Sequence, residues 1–186
     1  MGIKRKNFID LGMVPYIKNI PLGPGETFHL VANKTTDTYF QLLKNRHVDD
    51  EHIFTTPSTA YDAMTTAQGD NLLVYPGTYT TTAELDWDKD YTLVYGMGGP
   101  QNSGYDLGTI ITTATATVGA TIHNTGDKTR WYNVTISNSG AAATALTAFN
   151  NAGPGTRMVG CQIVGMLGAT ACDTALASSL QISANG

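Results

Sequence analysis

The densest group of chemically competent side chains is Glu84-Leu85-Asp86-Trp87-Asp88-Lys89-Asp90. Side chains alternate along a strand, so Glu84, Asp86, Asp88 and Asp90 would share one face, with Leu85 and Trp87 on the other. Four carboxylates on one face repel, and a divalent cation such as calcium would relieve them. A solvated edge anchored by Leu85 and Trp87 explains the same letters without a metal. The segment His47-Val48-Asp49-Asp50-Glu51-His52 also carries metal-competent groups. Its histidine spacing matches no helical ligand pair, and it reads as an exposed turn. His123 and Ser137 have no base or orienting acid placed beside them by the sequence, so no nucleophile is built from them.

Composition narrows the function classes. The 186 residues carry 14% charged side chains and a net charge of −4. That balance excludes the concentrated basic stripe a nucleic-acid surface needs, and Lys4-Arg5-Lys6 is too short to supply one. No apolar run approaches the ~18 residues of a membrane span. The N-terminus lacks a signal peptide's apolar core and cleavage site, so folding in the cytosol is expected. Cys161 and Cys172 make no disulfide framework, and Cys161 alternates with Val159 and Ile163 as a small buried side chain.

Charge is also unevenly spread. Beyond Tyr91 the only ionic side chains are Asp106, Asp127, Asp173, Lys128, Arg130 and Arg157. A long segment surfaced with Thr, Ser, Asn and Gly suits regularly stacked strands, where like charges would repel and uncharged polar groups form ladders.

The elements follow from pattern. Residues 1–25 form an extended arm, because Pro15, Pro21 and Pro24 with Gly23 and Gly25 oppose helix and central strand. Its apolar residues Ile3, Phe8, Ile9, Leu11, Val14, Tyr16, Ile17 and Ile20 require a surface to lie on. Glu26–Ala32 reads as a strand and Thr36–Arg46 as a short helix with Asp37 near its start. Thr59-x-x-Asp62 offers a capping box for a second helix whose apolar face is Ala60, Ala63, Met64 and Ala67, stopped by Gly69. Leu72 and Val74 then alternate into the Pro76-Gly77 turn and Tyr79.

A small amphipathic helix followed by Gly69-Asp70-x-Leu72-x-Val74-x-Pro76-Gly77-x-Tyr79 resembles the opening of pectin-lyase-like right-handed parallel β-helices. The resemblance covers about residues 54 to 99, including the strand YTLVYGMGG. It implies an all-β solenoid in which the helix plugs the open end, with residues 26–70 as the capping region and 71–186 as coils. Internal repetition points the same way. Thr129-Arg130-Trp131-Tyr132-Asn133-Val134-Thr135-Ile136 can be laid over Thr156 to Ile163, 27 residues later. The preceding pieces, ATIHNTGDK and ALTAFNNAGPG, align at an offset of 25, and a third copy starts at Ala175-Leu176. One such period is one coil. A β-sandwich would instead show hairpins every 8–12 residues and no repeat.

On this reading Val134, Ile136, Cys161 and Ile163 point inward, and Asn133, Thr135 and Trp131 outward. Arg130 and Arg157 stack on adjacent coils as a possible anion surface, with Trp131 exposed for a sugar ring or a neighbouring subunit. β-Helix enzymes that cleave polysaccharides need carboxylate pairs about 5 to 10 Å apart, and the coils hold only Asp106, Asp127 and Asp173. No catalytic residue and no cofactor is implied. The chain is similar to phage-encoded β-helix virion proteins, which implies a non-enzymatic capsid decoration or head-attached protein located in the virion. Its partners would be the major capsid protein or other virion subunits, further copies of itself (trimers are common in such spikes), and a surface glycan. Alternatives are a tail-spike-type depolymerase and a glycan-binding adhesin. The last coil, near Ser183-Ala184-Asn185-Gly186, is expected to be covered by another chain or by further sequence.

Overall fold

The computed structural model describes residues 22–98, 108–113, 119–139 and 147–164, and the backbone of 180–182. The arm residues from Ile3 to Ile20, Asp106, Cys172, Asp173, the copy at Ala175-Leu176 and the C-terminal residues 183–186 lie outside the described residues. The described part is all-β with parallel sheets and two short helices. The chain runs β1 (Thr27–Leu30), α1 (Thr38–Asn45), a 3-10 turn (Asp50–His52), β2 (Ile53–Phe54) and α2 (Pro57–Ala63). Then follow β3 (Asn71–Val74), β4 (Gly77–Thr81), β5 (Leu85–Trp87), β6 (Leu93–Gly96), β7 (Thr109–Thr113) and β8 (Ala120–Asn124). The remaining strands are β9 (Arg130–Tyr132), β10 (Thr135–Asn138), β11 (Thr147–Asn151), β12 (Arg157–Val159), β13 (Gln162–Val164) and β14 (Leu180–Ile182).

From β3 onward each strand pairs in parallel with the strand three places later. The first sheet has the order β12-β9-β6-β3-β1-β2, the second β13-β10-β7-β4 and the third β14-β11-β8-β5. The 27-residue repeat is the register itself: Arg157 pairs with Arg130, Ile163 with Ile136 and Phe149 with Ile122. The pieces aligned at 25 residues are also paired at 27, Thr147 lying on Ala120. A change of two residues leaves every side chain on its face, and 27 brings the large side chains Ile122 and Phe149 together inside.

Turns keep this register. Ala67, Tyr91, Lys128 and Gly155 all take left-handed backbone, with φ between 52° and 68°. They stack as one column: Ala67 N–H donates to Asp90 O, Tyr91 N–H to Asp127 O and Lys128 N–H to Pro154 O. Left-handed backbone costs a non-glycine residue roughly 1–3 kcal/mol, so the aligned turns are held by the strands on either side. In the same corner a Cβ on Gly153 would lie 2.2 Å from Gly126 O, so that packing requires glycine.

The inner core lies between the three sheets and includes Leu72, Trp87, Val94, Ile111, Ile122, Trp131, Val134, Ile136 and Phe149. One inward column of the first sheet runs Phe28, Leu72, Val94, Trp131 and Met158. Trp131 is therefore wholly buried, not exposed as strict alternation predicts. The reason is Asn133, whose φ of 52° turns the chain between β9 and β10 and resets the alternation. Trp131, Val134 and Ile136 then all face inward. Gly160, 27 residues on, repeats the left-handed turn at φ 63°. Thr135 is also buried, against expectation, beside Gln162 of the neighbouring strand.

The first sheet is covered on its outer face too. Leu43 of α1 packs there with Val31, Ile53, Leu73, Tyr75, Leu93 and Tyr95. Two buried faces explain why β1, β3 and β6 are buried throughout instead of alternating. The Asp37 carboxylate caps α1 by accepting from Tyr39 and Phe40 N–H. α2 is capped by Thr56, not Thr59, with Pro57 in its first turn, and it stops at Ala63. Ala67 and Gly69 fall in the turn beyond, and Ala63 is exposed. The Lys89 ammonium takes over the stop, donating to the carbonyls of Tyr61, Asp62 and Met64 at 2.6–3.1 Å. α2 packs on β1, β2, β4 and β5, which lie at one end of all three sheets.

His29 is sealed on the outer face of the first sheet, its Nδ1 3.3 Å from the Tyr75 hydroxyl. Burial, and then the nearby His52, push its pKa down to about 3 from an ordinary 6.5. Folded His29 is thus neutral where the unfolded chain begins to take up a proton. Its contribution is retained above pH ~6.5 and lost progressively as pH falls toward 3. Between pH 7 and 5 the loss is expected to be about 2 kcal/mol. Urea unfolding of the wild type and His29→Gln at both pH values checks this. Equal pH slopes for the two proteins would refute it.

Candidate functional site

The acidic run does not share one face. Its strand portion is only β5, so Glu84, Asp86, Asp88 and Asp90 separate after Trp87. Asp86 lies opposite His123 of β8. The His123 Nδ1 is 3.2 Å from Asp86 Oδ1 and 3.7 Å from Glu84 Oε1. The other Glu84 oxygen accepts from Ala120 N–H at 2.6 Å, which fixes that carboxylate. Asp88 turns to α2, where Tyr61 donates its hydroxyl to the carboxylate. Burial and then this bond push the Tyr61 pKa up. Asp90 accepts from Asp127 N–H at 2.7 Å and so belongs to the stacked turn. Two of the four carboxylates are structural, and the other two, Asp86 and Glu84, meet His123, 37 and 39 residues further on.

His52 is buried, not part of an exposed turn. It stacks on Phe28 with ring centres 5.4 Å apart and faces Glu26 at 3.4 Å. Asp49, Glu51 and His52 converge as well, although the imidazole is committed to this packing. Cys161 is half-buried against the inner core, and burial pushes its thiol pKa up. Ser137 bonds Thr112 rather than any base, at 2.8 Å.

Arg130 and Arg157 do come together, paired in register on adjacent strands and both exposed. Among the described residues neither has a carboxylate partner. The side chain beside them is not Trp131 but Tyr132, half-buried in the outward column Leu73, Tyr95, Tyr132 and Val159. Val159 ends that column 39% exposed. Among the described residues, the outer face of the first sheet changes from apolar and covered near α1 to aromatic and cationic at β9 and β12.

The chain enters at the opposite end of the sheets. Gly23 N–H donates to Asn71 Oδ1 at 2.8 Å, and Gly25 N–H to Gly69 O at 3.2 Å. Asp70, 1% exposed, accepts from Glu26 N–H and Thr65 N–H, tying entry, α2 and β3 together. A Cβ on Gly23 would meet Gly69 O at 1.9 Å, so the entering chain lies directly on this turn. No family model, curated protein or solved structure matches this chain.

Two exposed arginines in register on adjacent strands repel, and a shared anion would relieve that repulsion. Sulfate is expected to raise the thermal midpoint of the wild type more than that of Arg130→Gln or Arg157→Gln, with chloride as the ionic-strength control. Identical sulfate responses in all three proteins would mean that the pair holds no anion.

Proposed function

We propose that this chain is a non-enzymatic structural protein of a virion, a right-handed parallel β-helix that decorates a phage capsid or head and attaches through its N-terminal arm. The fold part is supported by the spacing of strand partners, three places apart in three parallel sheets, and by the column of aligned turns. A helix resting on one end of all three sheets fits the plug of such a solenoid. The attachment part rests chiefly on one observation, the stitching of Gly23, Gly25 and Glu26 to Asn71, Gly69 and Asp70. That anchor gives the apolar segment before it a fixed point of departure. An arm of this composition suits burial against the major capsid protein, another virion subunit or a second copy of the chain.

The mechanism is mechanical. Parallel ladders of uncharged polar residues, such as Ser137 on Thr112 and Asn124 on Asn151, give a stiff body with few free backbone groups. The arm carries attachment and the body carries projection. One observation favours an added glycan-binding role: Tyr132 beside Arg130 and Arg157 offers a stacking face and two cations to an acidic sugar.

Light scattering on the full chain and on a chain lacking residues 1–21 tests attachment, because the cut leaves the Gly23 and Gly25 contacts in place. The full chain is expected to assemble into a multiple of its own mass, and the shortened chain to remain a soluble monomer. Monomers in both cases would remove self-assembly from the arm's role.

A further inference from the structure

We propose that Glu84, Asp86 and His123 form a binding site for one transition-metal dication of the zinc type on the outer face of the third sheet. The three side chains each offer one ligand atom, and those atoms all lie within 4.8 Å of one another. Zinc holds nitrogen and oxygen donors at about 2.0–2.2 Å in tetrahedral array, which separates the donors by roughly 3.3–3.6 Å. The Nδ1 distances of 3.2 Å to Asp86 and 3.7 Å to Glu84 bracket that range. Little movement is needed to close the three around an ion.

An ion pair alone accounts for less of this arrangement. A single Nδ1 proton serves Asp86 at 3.2 Å, and at 3.7 Å Glu84 is outside hydrogen-bond range. A cation binds both. Glu84 is already oriented, because Ala120 N–H holds its far oxygen and leaves Oε1 toward the imidazole. Asp86 and His123 are held by the β5–β8 ladder, so the backbone brings them together before any ion arrives. The donor set also selects the ion. One imidazole with two carboxylates suits zinc, cobalt or nickel, whereas calcium takes six to eight oxygens.

The strand on the other side of His123 can support the ring. Asn150 of β11 pairs with His123 in register, and among the described residues its buried Oδ1 has no hydrogen-bond partner. Metal on Nδ1 leaves the imidazole proton on Nε2, which then seeks an acceptor. Asn150 Oδ1 lies a strand away on the same face. The other convergent trio, Asp49, Glu51 and His52, is less suited, because His52 is 4% exposed and stacked on Phe28. Three protein ligands leave the fourth position for water or for a donor from a neighbouring molecule.

Cobalt(II) titration of the full chain, read by visible absorption, tests the site directly. One equivalent is expected to bind with a low-symmetry cobalt spectrum and to be displaced by zinc. Asp86→Asn and His123→Ala are each expected to weaken binding at least about tenfold, while Asp49→Asn leaves it unchanged. Asp86 has a side chain 74% exposed, so its variant keeps the test valid even where His123→Ala fails to fold. No spectrum at millimolar cobalt, or binding that survives Asp86→Asn, would overturn the proposal. Binding lost in Asp49→Asn instead would place the metal at the other trio and overturn it equally.

Discussion

Trp131 meets Trp87 edge-on at 4.8 Å and Phe149 at 5.4 Å, and Tyr61 of α2 extends the row with its ring 4.7 Å from Trp87. This aromatic row joins the first sheet to the third and both to the helix at their end. Parallel strands of three to five residues cannot stand alone; each must bury its inward side chains against the other two sheets. The row contributes strongly to that burial, because aromatic side chains remove about 150–250 Å² each from water. Trp87 completes its hydrogen bonding through Nε1 to Thr92 at 2.7 Å. Among the described residues the buried Nε1–H of Trp131 has no partner.

Around that row, polar groups are arranged to avoid stacked charge. Where strands repeat directly above one another, a charge on one lies near the same charge on the next. Thr112 under Ser137 and Asn124 under Asn151 meet this constraint with hydrogen bonds instead. Arg130 over Arg157 breaks the rule at β9 and β12, whereas Asp86 over His123 sets opposite types together. The candidate binding surfaces are thus the places where the ladder carries charge. Nothing comparable is needed at the chain's entry, where backbone bonds to Gly69 and the Asp70 carboxylate hold the segment.

Much of the scaffold was legible in the letters. The 27-residue repeat became the strand register, and Asp37, Leu72, Val74 and the Pro76-Gly77 turn fell where their types require. Trp131 was misread because alternation was carried through Asn133, although Asn and Gly at 133 and 160 mark left-handed turns that reset it. The α2 cap was misplaced because Thr56 and Thr59 both fit a cap, and Pro57 in the first turn decides between them. His123 was set aside because its partners are 37 and 39 residues away, a step longer than the visible repeat. The acidic run was read as one strand face, but Lys89 is needed at the end of α2 and pulls the chain out of extension after Trp87.

The account depends on the row holding three sheets as one cooperative unit. Equilibrium urea unfolding of Trp131→Ala, followed by far-ultraviolet circular dichroism and by Trp87 fluorescence, tests this most directly. The expected result is one coincident transition, destabilised by about 3–5 kcal/mol, with Trp131→Phe costing clearly less because it keeps a large aromatic side chain in the row. A loss under about 1 kcal/mol for Trp131→Ala, or two separate transitions in the wild type, would contradict it.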